Sequence, residues 1–372
     1  MTTAQQLYAL NLDQAAALIG AVGHQRTVLV QGEMGTGKTT LLKSLAKLCP
    51  TEYVPCYFDA TTKDVGDITI PNVMHLDVSV GSSQPEMDFV RYVPNEEFGV
   101  HTGKPVILMI DEFGKANTAV KNALLRVILE REVGCHKLHP DSIVFATTNL
   151  GVEGVGDLLP AHARNRVTVI TTRKPSNMEW IEWGINNGID HALLGWCKDN
   201  PQLFQSFVDL QDPDENPYIF HPKAQRAAFV SPRSLEAASD ILKVRDVMDD
   251  QTLTAALMGT IGERGGMDLM ARMRLADDLP SLDSIKSDPL NAKVPDSASA
   301  VCMVVYRALS TIETNWIDAW MDYMVRLDKE AQGMFVNGVR AKNYSKQSVV
   351  MTNRKFTDWA MQNNYMFAAD KV

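Results

Sequence analysis

The sequence predicts an α/β fold with a parallel sheet over its first 172 residues, followed by mainly helical structure. Three observations carry this. Short, nearly all-apolar runs recur at residues 27–31, 106–110 and 142–146, the pattern of strands buried on both faces of a parallel sheet. A glycine-rich stretch from Gly32 to Thr40 joins the first run to Leu41, Leu42, Leu45 and Leu48 at helical spacing. Beyond Lys174 the apolar residues keep a helical period.

Composition sets the outer bounds. The chain has 372 residues, 45% of them hydrophobic and 22% charged, which is globular composition and excludes wholesale disorder. The length suits two or three domains. No run approaches the roughly 18 apolar residues of a membrane span, and the first residues lack the charged and apolar regions of a signal peptide. Cys49, Cys56, Cys135, Cys197 and Cys302 are scattered and odd in number. They suggest neither a disulfide framework nor a zinc site, and a cytoplasmic setting is expected. The formal charge of −9 argues weakly against a protein made to coat nucleic acid.

The elements follow in order. Strands are expected near Val28, over 53–58, and near Val106, Ile143 and Val167, with helices between them. The first strand runs into Gly32-Glu33-Met34-Gly35-Thr36-Gly37-Lys38-Thr39-Thr40 and then a helix, the strand, G-x-x-x-x-G-K-[ST] loop and helix of a P-loop. Glycines let successive backbone N–H groups turn inward around a phosphate, and the helix N-terminus adds positive potential. Lys38 is expected to reach the β- and γ-phosphates, and the Thr39 hydroxyl to ligate Mg²⁺.

The strand at 105–110 ends in Asp111-Glu112. A carboxylate there sits where parallel sheets bind ligands, so Asp111 is expected to hold the water shell of Mg²⁺. Glu112, one residue on, could take a proton from an attacking water; standing alone, the pair would read as a solvated strand end. The strand at 142–146 leads to Thr147-Thr148-Asn149. The Asn149 amide can bond both a γ-phosphate and the water, or instead shape the turn at Gly151.

These residues together resemble an AAA+ ATPase, with Walker A at 32–40, Walker B ending in Asp111-Glu112, and a sensor strand ending in Asn149. Finer details resemble the MoxR-type branch, whose members work with von Willebrand A-domain partners. They are the run at 111–116, the helix from Asn122-Ala123-Leu124-Leu125 to Glu130-Arg131-Glu132, the L-P-x-A-x-x-x-R stretch at 159–166, and Ser231-Pro232-Arg233. The resemblance covers roughly residues 8–275. It implies an arginine finger on Arg166, six residues after Pro160, with Arg164 as companion. Val167 stands where the family often has Phe, which leaves the choice between Arg164 and Arg166 open. The resemblance also implies that Arg233 is sensor 2, reaching the nucleotide from a lid.

Residues 59–104 form a long interval with alternating runs at 67–70 and 75–80, bounded by Pro71 and by Gly81-Ser82-Ser83. Such an interval without function is unusual; in the family it carries a hairpin insert and pore-facing segments, and contact with a partner or substrate is expected. The bland alternative is a decorative surface hairpin. Ser176 to Glu179 is a capping box that opens a helical lid over 173–276, interrupted by a surface loop at 212–217. A helical extension occupies 277–372, where Trp316, Trp320 and Met324 make a core or interface stripe. Arg340, Lys342, Lys346, Arg354 and Lys355 lie near Tyr344, Phe356 and Trp359, which could form a nucleic-acid patch but more often a solvated face. His136 and His139 lack the further ligands of a metal site.

The expectation is therefore an ATP- and Mg²⁺-dependent MoxR-type motor, with ATP cleaved at subunit interfaces of a self-assembled ring, a hexamer by resemblance. Its client would be a protein, with or without a von Willebrand A-domain partner, and no membrane is involved. A nucleic-acid motor on the same core is the chief rival, and a scaffold that binds ATP but barely turns it over is the third class.

Overall fold

The computed structural model describes residues 8–76, 87–150, 159, 161–275, 279–341 and 344–367. Gly151, Pro160, Asp277, Lys342 and residues 77–83 of the expected insert lie outside them. The chain divides into two units, Met1–Lys174 and Pro175–Val372.

In the first unit, helix α1 (Leu12–Val22) is opened by a reciprocal cap: Gln14 N donates to Asn11 Oδ1 at 2.8 Å and Asn11 N to Gln14 Oε1 at 3.0 Å. Strand β1 (Val28–Gln31) leads through the glycine-rich loop into α2 (Thr40–Leu48). Then come β2 (Val54–Asp59), an antiparallel pair β3 (Thr69–Leu76) and β4 (Met87–Pro94), and β5 (Val106–Asp111). Helix α3 (Thr118–Glu130), a small hairpin of β6 (Glu132–Val133) and β7 (His136–Lys137), β8 (Ile143–Thr148), α4 (Ala161–Arg164) and β9 (Thr168–Thr171) complete it.

Five strands form one sheet in the order β2-β5-β8-β1-β9, with every pairing parallel. Central β5 and β8 are buried at every residue, whereas edge strands β2 and β9 are partly exposed. That is why the central runs lack polar alternation. One face of the sheet (Val28, Val30, Ile107, Met109, Phe145) packs on Ala15, Ala16, Ile19, Leu41 and Leu45 of α1 and α2. The other face (Leu29, Leu108, Ile110, Val144) packs on Val120, Leu124 and Val127 of α3. Arg131 follows α3, and burial pushes its guanidinium down to about 10. It donates to Gly23 O at 2.6 Å and straps the α1 end to the α3 end.

Two expectations shift. The last strand, expected near Val167, begins at Thr168, because Arg166 N still closes the preceding turn on Ala163 O at 3.0 Å. Pro71 does not bound a strand; it lies inside β3, opposite Tyr92 of β4. A two-stranded ribbon has a free edge on each strand, where a missing N–H is tolerated.

The second unit is helical: α5 (Asn177–Asn186), α6 (His191–Asp199), α7 (Pro232–Lys243), α8 (Asp250–Leu275), α9 (Leu282–Ser287), α10 (Ala298–Thr311), α11 (Ile317–Met324), α12 (Lys329–Arg340), α13 (Gln347–Met351) and α14 (Arg354–Gln362). The Ser176–Glu179 capping box is present, with Glu179 N donating to Ser176 Oγ at 3.2 Å and Ser176 N to Glu179 Oε2 at 2.7 Å. The loop at 212–217 is pinned by buried Asn216, whose Nδ2 donates to Gln202 O at 2.8 Å. Helix α8 is broken at Gly262, where φ is +84° and a Cβ would lie 2.7 Å from Ala228 O, so only glycine fits. One apolar cluster runs through Trp180, Leu194, Trp196, Leu257, Tyr306, Trp320 and Trp359, on both sides of residue 277. Trp316, Trp320 and Met324 belong to it, as core.

Candidate functional site

Strand register places the site. Gln31, the last residue of β1, is level with Thr148 of β8 and Thr171 of β9. Ile110 pairs with Ala146, so Asp111 is level with Thr147. The carboxyl ends of β1, β5 and β8 therefore open side by side, where the chain order reverses around β1; open α/β sheets bind ligands at such a point.

The loop leaving β1 is curved by its own bonds. Thr36 Oγ1 donates to Glu33 O at 2.9 Å, and Thr40 Oγ1 to Gly37 O at 2.7 Å. Gly35 and Gly37 take φ of 72° and 93°, in the left-handed region that favours glycine. Gly32 is buried, and Met34 beside it is half-buried. Thr40 thus shapes the loop as the first residue of α2, while Thr39 turns toward β5.

Lys38 is 6% exposed, and its Nζ donates to Gly32 O, Glu33 O and Asn149 Oδ1, each at 2.8 Å. Two residues 111 positions apart are joined here. Asn149 is fully buried, and its Nδ2 has no hydrogen-bond partner. Asp111 accepts from Thr39 Oγ1 (3.3 Å) and Tyr57 Oη (3.0 Å) on Oδ2, and from Glu112 N (3.1 Å) and Thr147 Oγ1 on Oδ1. Glu112 adopts φ 52°, ψ 33°, uncommon for a side chain with a Cβ and the kind of backbone conformation that clusters at functional sites. Its Oε2 lies 3.2 Å from Lys115 Nζ but takes part in no hydrogen bond.

Two participants escaped the sequence reading. The Glu33 carboxylate, inside the loop, pairs with Lys174 Nζ at 2.8 Å, and both side chains are buried. The two residues are 141 positions apart, so no local pattern announces the pair. Tyr57 had a signal: β2 alternates, with Cys56 and Phe58 buried and Tyr57 exposed, which puts it on the face opposite their core.

The residues suit a magnesium nucleotide. Asn149 Nδ2 is a buried donor lacking an acceptor, which a phosphate oxygen would satisfy; Glu112 Oε2 forms an ion pair with Lys115 but no hydrogen bond, so it could still accept from a water. No cluster of three or more His, Cys, Asp or Glu that could hold a metal occurs among the described residues. A cation would rest on the Thr39 hydroxyl, the Asp111 carboxylate, waters and phosphate oxygens, the set that Mg²⁺ favours.

The arginines stand apart. Thr168 is level with Val28, so Arg166 lies at the amino edge of the sheet, at the opposite end of β1 from the loop. It is exposed and does not reach this chain's own site. Arg164 is also exposed, and its Nε donates to Leu159 O at 2.9 Å. Arg233 is an exposed residue of the second unit, in the first turn of α7 behind Ser231 and Pro232. The basic window near the C-terminus offers no stacking platform: Tyr344, Phe356 and Trp359 are buried. There Lys355 pairs with Asp322 at 2.6 Å and Arg354 with Asp358 at 3.9 Å.

Residues 27–164 match the model of the AAA domain, dynein-related subfamily. The matched stretch is similar to an AAA domain and contains the P-loop and most of the sheet described above, with a helical region following it. Similar solved structures include the RuvB Holliday junction branch migration motor of Thermotoga maritima, at 15% identity and TM-score 0.34 over 75% of each chain. A mutant of Thermotoga maritima RuvB matches at 16% identity and TM-score 0.34, over 82% of this chain and 85% of that one. No curated protein sequence matches the chain. No helix among the described residues is long and apolar enough to cross a membrane.

Proposed function

We propose that the chain is a MoxR-type ATPase that cleaves ATP at the subunit interfaces of a ring and uses the cycle to remodel a protein client. One observation supports the reading: the adjacent residues Lys38 and Thr39 are hydrogen-bonded to Asn149 and Asp111 respectively, and the buried Asn149 Nδ2 has no hydrogen-bond partner. Lys38 would exchange the carbonyls of Gly32 and Glu33 for the β- and γ-phosphates of ATP. Mg²⁺, held through Thr39 and Asp111, would neutralise charge on the phosphates. Asn149 orients the water against the γ-phosphate, and Glu112 Oε2 accepts its proton.

Arg166 supports the interface. Its exposure at the far edge of the sheet supports a role at a neighbouring copy's site, and Arg164, with one N–H on Leu159 O, would be the companion. Arg233 would sense the nucleotide from the helical unit. A protein client is favoured over nucleic acid because the aromatic residues of the basic window are buried. The β3–β4 ribbon, with Ile70 at 63% and Val73 at 58% exposure, is the surface we assign to client or to a von Willebrand A-domain partner.

The test is ATPase rate against protein concentration. Specific activity should rise as rings assemble, and equal activity in a verified monomer sinks the interface mechanism. Glu112→Gln should retain ATP while turnover falls about 10²- to 10⁴-fold; near-normal turnover removes Glu112 from the base role.

A further inference from the structure

We propose that Tyr57 is a positioning residue for the site's cation: its hydroxyl fixes Asp111 so that this carboxylate accepts a hydrogen bond from a cation's water and does not bind the cation itself. The inference rests on the ATPase reading and adds a residue to it from an edge strand outside the loop and the two acidic and amide strand ends.

Topology brings the phenol to the site. Tyr57 is the register partner of Met109, and Asp59 that of Asp111. Tyr57, Met109 and Asp111 therefore share one face of the sheet, the face covered by α1 and α2. A tyrosine is long enough to reach the neighbour two residues further along the adjacent strand, and Tyr57 Oη donates to Asp111 Oδ2 at 3.0 Å. Met109 beneath it is buried and Asp111 is 8% exposed, whereas Tyr57 is 42% exposed.

Acceptor capacity limits what Asp111 can bind. A carboxylate offers about four lone-pair directions. Asp111 receives four donors: Glu112 N and Thr147 Oγ1 on Oδ1, Tyr57 Oη and Thr39 Oγ1 on Oδ2. On the Oδ1 side the donors also hold each other, since Glu112 N is shared with Thr147 Oγ1 at 3.2 Å. The fourth donor, the Thr39 hydroxyl, is the one that would be drawn to a cation; one direction on Oδ2 would then open, and it suits one water O–H. With Tyr57 still in place, the carboxylate keeps its plane and has no second free direction on Oδ2 for direct ligation. Mg²⁺ surrenders its waters reluctantly, so such a site suits it. Remove the phenol and Oδ2 is freed both to rotate and to ligate directly, which favours a cation that exchanges water more readily.

The experiment compares the full chain with Tyr57→Phe, which keeps the ring and deletes only the oxygen. Mg²⁺ is titrated in the presence of a fluorescent ATP analogue, and Mn²⁺ is titrated by electron paramagnetic resonance. In the variant the Mg²⁺ midpoint should rise about tenfold, and preference should move toward Mn²⁺. Analogue binding in EDTA and the melting temperature should match the parent. A Mg²⁺ midpoint unchanged within experimental error overturns the role of Tyr57, as does a weakening of analogue binding in EDTA as large as that seen with Mg²⁺. A parent that binds the analogue with no dependence on Mg²⁺ overturns the ATPase reading first, so the two failures are distinguishable.

Discussion

The two units bury different things. Among the described residues, every buried Glu, Lys and Asp lies in the first unit: Glu33, Lys38, Asp111 and Lys174. The buried polar residues of the second unit are Asn216, His221, Ser231, Ser239, Gln332 and Asn363, around a core of tryptophan, tyrosine and aliphatic side chains. Desolvating a charge is costly unless it is paired and hydrogen-bonded. The first unit bears that cost four times within one edge of one sheet. Packing alone never requires this, so it marks where chemistry is placed; the second unit has the composition of a body whose work is to hold shape.

That contrast can be broken at several points, the largest effect first. Arg166→Ala should lower ATP turnover by about 10³-fold or more, with little change in stability because the side chain is exposed. Arg164→Ala should lose far less, its Nε being engaged on Leu159 O. Steady-state phosphate release on both variants decides, and equal losses would leave the finger unassigned between them.

Next come two variants of similar cost to folding and opposite effect on binding. Lys174→Met leaves the Glu33 carboxylate buried without its partner, a loss of about 3–5 kcal/mol, and should weaken nucleotide binding because Glu33 lies in the loop itself. Trp320→Ala opens the second core at similar cost, about 3–5 kcal/mol, and should leave nucleotide affinity at the parent value. Denaturant unfolding paired with analogue titration tests both; a Trp320 variant with reduced affinity would mean that the division of labour is wrong.

The smallest effect concerns pH. Burial, opposed by neighbouring Asp190 and assisted by Arg307 and Arg245, pushes His191 below its ordinary value of 6.5. The unfolded chain therefore binds the proton more readily. His191's contribution to stability is complete above about pH 6.5 and is lost as pH falls through the depressed folded value. Unfolding midpoints at pH 8 and pH 5.5 should differ more for the parent than for His191→Gln.

Much of the sheet was legible because its signals are local. A strand, a loop and a helix adjacent in sequence announce the phosphate site, and runs such as 106–110 are apolar without interruption because both faces are covered. Chain separation hid the rest. The Glu33–Lys174 pair joins positions that only the β1–β9 pairing brings together. Tyr57 could have been placed on the correct face from the alternation of β2, but not beside Asp111 without knowing that β2 and β5 are neighbours. Pro71 misled because a proline ends a central strand and not a free-edged ribbon. In the 340–359 window the aromatic residues gave no sign of where they go: its tyrosine, phenylalanine and tryptophan are recruited by a core assembled from helices far along the chain.

The β3–β4 ribbon carries a consequence for how the molecule behaves in solution. Ile70, Val73, Val90, Tyr92 and Val93 are each between 47% and 63% exposed, and they alternate onto both faces of a ribbon whose strands, among the described residues, pair only with each other. Unpaired edges beside apolar side chains are templates for strand addition. At high concentration this ribbon is where colloidal stability is weakest, and charges placed at Ile70 and Val73 are the changes that would keep concentrated protein clear.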